Sequence, residues 1–180
     1  MSQTLTIVLD FVFRLAALLF LLRFVLQASR ADFYNPVSQA VVNATDTLCK
    51  PLRALLKPVG VFDPASVVVA WLLSVVSIYL LTFLQYGGAP LPMEALWAGV
   101  IKTFLILTQF YKWSIIIIVI ASFVAQGTYH PALQLLQQML EPVMGRLRNT
   151  LPSLGPLDLS PMVALLVIIL IEDMLMRAFI

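Results

Sequence analysis

Four stretches of the chain stay apolar for about the 20 residues that a helix needs to cross a bilayer. They run from about Leu5 to Gln27, from Pro64 to Tyr86, from Met93 to Ala125 and from Leu159 to Phe179. The runs are continuous, without the alternation of a membrane barrel strand. A backbone in lipid must satisfy its own hydrogen bonds, so each run is expected as a helix. Charges interrupt three of them, among them Asp10 and Arg14 in the first, Lys102 and Lys112 in the third, and Glu172, Asp173 and Arg177 in the fourth. The second carries none and stops at Gly87-Gly88. Asp63 before Pro64 and Ser160 before Pro161 read as helix starts, with a cap oxygen next to a proline at the first helical position.

Two polar-flanked connectors follow a different pattern. Apolar residues recur at Val37, Val41, Ala44, Leu48, Leu52 and Leu55, and again at Ala132, Leu136, Met139, Val143 and Leu147. Steps of three and four place each set on one helix face. Asn35-Pro36 and His130-Pro131 open the two helices, and Pro51 and Pro142 are expected to break or bend them. The preferred reading is an interfacial helix with its apolar face in the membrane boundary. The alternative is a helix folded against the spans or dipping between them.

The two halves superpose without gaps at an offset of 95 residues, the separation of Asp63 from Asp158. In that register Arg53 meets Arg148, Gly60 meets Gly155, Leu52 meets Leu147, and Tyr34, Pro36 and Gln39 meet Tyr129, Pro131 and Gln134. One shared register over so many positions is a sequence repeat. The expected fold is therefore an all-α membrane protein with four transmembrane helices, built as two tandem helix–amphipathic linker–helix repeats. The first occupies 1–86, with spans at about 5–27 and 64–86 and a linker at about 36–57. The second occupies 93–180, with spans at about 93–125 and 159–179 and a linker at about 131–152. An even number of spans per repeat sends both units into the membrane the same way up, with the pseudo-twofold axis along the membrane normal.

Composition agrees with a lipid solvent. The chain of 180 residues is 61% hydrophobic and 11% charged, against about 25% charged in soluble domains. Mean hydropathy is +0.98. A net charge of +2 gives no argument for nucleic acid. The first apolar run lacks a basic leader and a small-residue cleavage site, so it reads as a retained span. Basic residues gather in the linkers, at Arg30, Lys50, Arg53 and Lys57 and at Arg146 and Arg148, while the connection from Gly87 to Pro92 has none. The positive-inside rule then puts both linkers in the cytoplasm and both termini in the periplasm. Arg177 argues weakly the other way.

Candidate chemistry lies in two places. Arg14, Lys112, Glu172 and Asp173 fall at similar depths and are expected as an intramembrane charge cluster, with Asp10, Lys102 and Arg177 as peripheral charges. Such a cluster is a polar relay or, on the preferred reading, a set of structural ion pairs. The second place is the repeated linker motif, Arg53, Gly60 and Asp63 with Arg148, Gly155 and Asp158. Its arginines suit anionic headgroups or a cytoplasmic partner; structurally, its aspartates cap helices and its glycines permit tight turns, which is the preferred reading. Ser66, Ala70 and Ser74 form a small-residue ridge for close helix packing. Cys49 is the single cysteine and reads as a packed thiol. His130, the single histidine, is a weak haem-ligand candidate and reads better as a helix start. No catalytic constellation, nucleotide loop or metal motif is present, and neither a metal nor a cofactor is expected.

The residues Asp32-Phe33-Tyr34-Asn35-Pro36, then Pro51-Leu52-Arg53 leading to Gly60 and Asp63, carry a resemblance. So does the second-copy run Leu147-Arg148 followed by residues 151–162, from Leu151-Pro152-Ser153 through Asp158 to Ser160-Pro161-Met162. Nearly the whole chain resembles the YggT family of small bacterial membrane proteins, which has plastid relatives. The first copy departs from the pattern at Lys57, where proline is usual, and at Pro64-Ala65-Ser66. The resemblance implies a two-copy protein of the bacterial inner membrane without known catalytic activity. It implies a non-enzymatic scaffold or assembly factor. The alternatives are an oligomeric cation or osmolyte conduit and a haem or cytochrome maturation factor. The partners expected are membrane lipid and a membrane protein, with a homo-oligomer left open and nucleic acid not implied.

Overall fold

A computed structural model of the chain describes residues 3–124, 130–150 and 158–179. Among the described residues the fold has six helices: α1 (Gln3–Ala28), α2 (Pro36–Leu55), α3 (Pro64–Tyr86), α4 (Pro92–Val124), α5 (Pro131–Thr150) and α6 (Ser160–Phe179). No strand is found among the described residues; an isolated bridge joins Val59 to Phe62. Shifting α2 by the 95-residue offset reproduces the bounds of α5, Pro131 and Thr150.

Three helices, α1, α3 and α4, are long and apolar enough to cross a membrane. Four were expected. The fourth, α6, spans 20 residues, but its last turns hold Glu172, Asp173 and Arg177. Three charges in so short a helix dilute the apolar run that insertion requires.

α1 packs along α3, α3 along α4, and α4 along α6, with α2 and α5 across one end of these helices and touching each other. A first core gathers Ala17, Phe20 and Leu21 of α1, Cys49 of α2, Val69 and Ala70 of α3 and Ile106 of α4. A second joins the ends of α1 and the two linker helices through Val25, Leu26, Val41, Leu135 and Met139. A third, Ile115, Leu140, Met144, Ala164 and Ile168, joins α4, α5 and α6. Large apolar side chains stay exposed along the outer faces, among them Phe11, Trp97, Phe104, Trp113, Leu166 and Leu170. That much apolar exposure is ordinary for a surface solvated by lipid and excessive for one in water.

The expected helix starts form by the expected chemistry at α2. Asn35 is extended, and its side-chain oxygen accepts from the Val37 amide at 2.9 Å. Its amide nitrogen donates to the Pro131 carbonyl at 2.9 Å, so the openings of α2 and α5 meet. α3 ends at Gly87 in the left-handed region, where the Gly87 amide bonds the Phe83 carbonyl, the usual way a glycine closes a helix.

One expectation about the linkers changes. Pro51 and Pro142 lie inside continuous helices rather than ending them. An internal proline removes one backbone bond, a loss of about 3 kcal/mol. The turns beyond Pro51 and Pro142 are fastened from outside by Arg53 and Arg148, whose side chains pair with Asp63 and Asp158. The buried face of α2 shares only Val41 with the apolar stripe. Ser38, Val41, Thr45 and Cys49 face inward, while Val37, Leu48 and Leu55 remain exposed. The inward face is set by an arginine from α1, described next.

Candidate functional site

Arg23 leaves α1 near its end and enters the junction with α2 and α3. It is 3% exposed. One guanidinium nitrogen, Nη1, donates to the Val42 carbonyl at 3.1 Å and to Thr45 Oγ1 at 2.8 Å, and lies 2.7 Å from Asp46 Oδ1. Nε faces Asp63 at 3.8 Å, beyond hydrogen-bond range, and has no hydrogen-bond partner among the described residues. Charges this far from solvent are stable only when paired, and Arg23 explains why α2 turns the polar residues Thr45 and Asp46 toward the protein.

Asp63 was expected to cap α3. It stands at the cap position, yet its side chain makes no capping bond. It is fully buried and belongs instead to Arg53, which donates Nε to Oδ1 at 3.3 Å and Nη2 to Oδ2 at 2.5 Å. A two-point guanidinium–carboxylate pair is both strong and directional. The α3 start relies on Pro64 and on Ser66, whose hydroxyl donates to the Asp63 carbonyl. The ten residues between Arg53 and Asp63 turn back at Gly60, whose φ of 60° suits glycine, and Phe62 stacks edge-on against Phe24 of α1 at 5.3 Å. Asp63 sustains the guanidinium charge of Arg53 and raises its pKa. Hydrogen bonds from Lys50 and then Arg23 hold the Asp46 carboxyl below its ordinary value. Burial pushes the Cys49 thiol up.

The second copy repeats the pair in the open. Arg148 Nε donates to Asp158 Oδ2 at 3.0 Å, and its Nη1 reaches Glu141 Oε2 at 3.4 Å. Arg148 and Asp158 are 48% and 45% exposed at their side chains. Asp158 does what Asp63 does not: Oδ1 accepts from the Ser160 amide at 2.9 Å at the start of α6. Bonds from Ser160 and then Arg148 keep its carboxyl below the ordinary value. Gly155 lies outside the described residues.

The four charges expected together divide between different pairings. Lys112 of α4 pairs with Glu172 of α6, and the second carboxylate oxygen of Glu172, Oε1, is buried without a hydrogen-bond partner among the described residues. Arg14 pairs within α1 to Asp10 at 2.6 Å. Asp10 also receives Lys102 of α4 at 2.6 Å, and Lys102 donates to Ser77 of α3 at 2.6 Å. Asp173 pairs with Arg177 on the exposed face of α6 at 2.8 Å. Lys102 and Lys112 stand ten residues apart, about 15 Å along the axis and most of a quarter-turn around it. One therefore faces α1 and α3 and the other α6.

Ser66, Ala70 and Ser74 are buried on α3, and Thr103 of α4 donates to Ser74 Oγ at 3.0 Å. The close approach of α3 and α4 also needs Gly99, where a Cβ would overlap Val75. His130 is exposed, and its carbonyl accepts from the Gln134 amide. Arg23, Asp46 and Gly99 went unnoticed in the sequence. Asp46 and Lys50, four apart on α2, were the available local sign of a paired face; Arg23 offered the same sign as Arg14, a charge inside an apolar run.

The family comparison reproduces the duplication. The CCB3/YggT family matches the chain twice, over residues 2–84 and 97–179. The chain belongs to the CCB3/YggT family. It is in the family's two-copy form, and the two matches cover the helix–linker–helix units just described. A Pseudomonas aeruginosa relative named Uncharacterized protein PA0392 is 44% identical over 157 residues, covering 86% of this chain and 79% of its own. The Escherichia coli K12 Uncharacterized protein YggT is 34% identical over 171 residues, covering 94% and 88%. A Haemophilus influenzae relative, named Uncharacterized protein, is 27% identical over 176 residues, covering 98% and 93%. No solved structure matches. Within this CCB3/YggT chain the Arg–Asp linker pair occurs once per copy, buried in the first and exposed in the second.

Proposed function

We propose that this CCB3/YggT chain is a non-enzymatic scaffold or assembly factor of the bacterial inner membrane. The observation that carries the reading is the pairing of charges within the spans: Asp10 with Arg14 and Lys102, and Lys112 with Glu172. Ionisable groups at membrane depth are costly. Groups already neutralised by a neighbouring helix fix which helices touch. They do not offer a chain of open sites along which an ion steps.

On this reading α6 is the fourth span. Its charged end is accommodated by Lys112 for Glu172 and by snorkelling of Arg177. Both linker helices lie on the cytoplasmic face and both termini in the periplasm. Val37, Leu48 and Leu55 point away from the protein, beside Lys50 with its amine in the open. Apolar residues edged by cations suit the boundary of an anionic bilayer. A membrane protein partner is met on that same face.

The test pairs crosslinking in native membranes with ion and osmolyte flux in liposomes holding the purified full chain. Crosslinks to defined protein partners without flux support the scaffold. Flux that Lys112→Met or Glu172→Gln abolishes, in protein that assembles normally, overturns it in favour of the conduit. Labelling of single cysteines placed at residues 48 and 136 from the periplasmic side alone overturns the orientation.

A further inference from the structure

The two copies differ at one place in a chemically informative way. In the first, the space between α1, α2 and α3 is filled by the Arg23 guanidinium. At the 95-residue offset Arg23 becomes Ile118, and Lys50 becomes Gly145. The carboxylates persist: Asp46 becomes Glu141 and Asp63 becomes Asp158. Three cations serve two carboxylates in the first copy, through Arg23, Lys50 and Arg53. In the second, among the described residues, Arg148 is shared by Glu141 and Asp158, at 3.4 and 3.0 Å.

The missing side chain leaves a space. A cavity of about 330 Å³ opens between α4, α5 and α6, lined among others by Ile118, Leu140, Glu141, Met144 and Arg148. These stand where Arg23, Thr45, Asp46, Cys49 and Arg53 stand in the first copy. Gln137, which replaces Val42, also lines it. Its side chain brings to the lining a polar group that Val42 lacks. Glu141 is 63% exposed at its side chain, so the carboxylate is open to an incoming group. Arg146, the nearest other cation on α5, lines a different cavity with Pro142 and Ala164.

We propose that this second-copy cavity is a receptor for a guanidinium group supplied from outside the chain, held by Glu141 as Arg23 is held by Asp46 in the first copy, with Leu140 in place of the Thr45 hydroxyl. The sister site argues for guanidinium over ammonium, because there one planar group sets Nη1 on the Val42 carbonyl, the Thr45 hydroxyl and Asp46 while its Nε faces a second carboxylate, Asp63, at 3.8 Å. The group is either an arginine side chain of a partner polypeptide or a free guanidino compound. The site's chemistry does not depend on the scaffold reading.

The experiment titrates the full chain in nanodiscs with arginine amide, agmatine and citrulline amide, whose ureido group is the uncharged isostere of guanidinium, followed by ligand-observed NMR. The guanidinium compounds bind and citrulline amide does not. Glu141→Gln, at an exposed position, weakens binding tenfold or more. Ile118→Arg supplies the guanidinium internally and abolishes it. If Ile118→Arg does not fold, Gly145→Lys, which returns the other missing cation, weakens binding in its place. Arginine amide bound more tightly than agmatine assigns the site to a polypeptide side chain, and the reverse order assigns it to a free guanidino compound. Equal binding of citrulline amide, no binding by wild type, or indifference to Glu141→Gln overturns the proposal.

Discussion

Arg53 grips both oxygens of the buried Asp63, across a ten-residue turn that carries the chain from α2 into α3. The same spacing recurs in Arg148 and Asp158. The pair closes the linker onto the following helix in each copy, but only the first is removed from solvent. That difference separates their energetic weight, since an ion pair in water contributes little and one broken in the interior leaves an uncompensated charge.

Asp63→Asn is expected to destabilise the chain by about 3 kcal/mol, because Arg53 and Arg23 lose their buried counter-charge. Asp158→Asn is expected to cost about 1 kcal/mol or less, from its exposed pair and its bond to the Ser160 amide. Denaturant or SDS unfolding of both variants in the same detergent checks the ratio. Equal losses would mean that burial of Asp63 does not matter.

How much of this was legible in the sequence follows from the distance over which each interaction acts. Three of the four expected spans, and the repeat, were readable because lipid demands long apolar runs and duplication preserves register. Asn35 and Gly87 were readable because caps are local. Arg23 was not, because its partners Thr45, Asp46 and Asp63 are 22 to 40 positions away and depend on how α1 is rotated against α2. The same limit split the expected charge cluster: depth along a helix follows from residue number, whereas azimuth depends on packing. The cap assigned to Asp63 failed for a related reason. A carboxylate before a proline has two uses, and the nearby Arg53 guanidinium outcompetes a backbone amide.

Gly99 tests the packing of α3 on α4. Any side chain there meets Val75 and the Trp71 ring nitrogen, which itself donates to the Leu96 carbonyl. Gly99→Val is expected to cost about 2 kcal/mol through overpacking. It should also loosen the Lys102–Ser77 contact one turn away. Cysteine crosslinking between α3 and α4 should fall in parallel with the unfolding midpoint, and a midpoint unchanged by the substitution would contradict the close approach.

Acid stability is expected to track Asp46 and Asp158. Both carboxyls lie below their ordinary value of 3.8 in the folded chain. A depressed folded value stabilises the fold above the unfolded pKa, and that contribution is lost as pH falls through the folded value. Wild type should therefore lose stability as the pH drops below 3.8. The double variant Asp46→Asn/Asp158→Asn should start less stable at neutral pH and lose less on acidification. Thermal unfolding in detergent between neutral and acidic buffer reads the two slopes, and parallel slopes would remove these groups from the account.

Lys112 and Glu172 give the sharpest test of what a charge inside the spans does. Lys112→Met alone leaves the Glu172 carboxylate facing an apolar neighbour, with its Oε1 already lacking a partner. Breaking a pair of this kind costs about 3 kcal/mol, whereas replacing both members with apolar groups of similar size is often neutral. Glu172→Leu alone strands the ammonium, which escapes part of the penalty by reaching toward the interface. The double variant Lys112→Met/Glu172→Leu should recover most of the loss, giving a coupling energy of about 2 kcal/mol in a double-mutant cycle. Additive losses would show that α4 and α6 are held together by packing alone. A pair that acts in register should leave the double variant folded and assembled, and one that carries ions should leave it folded and inactive.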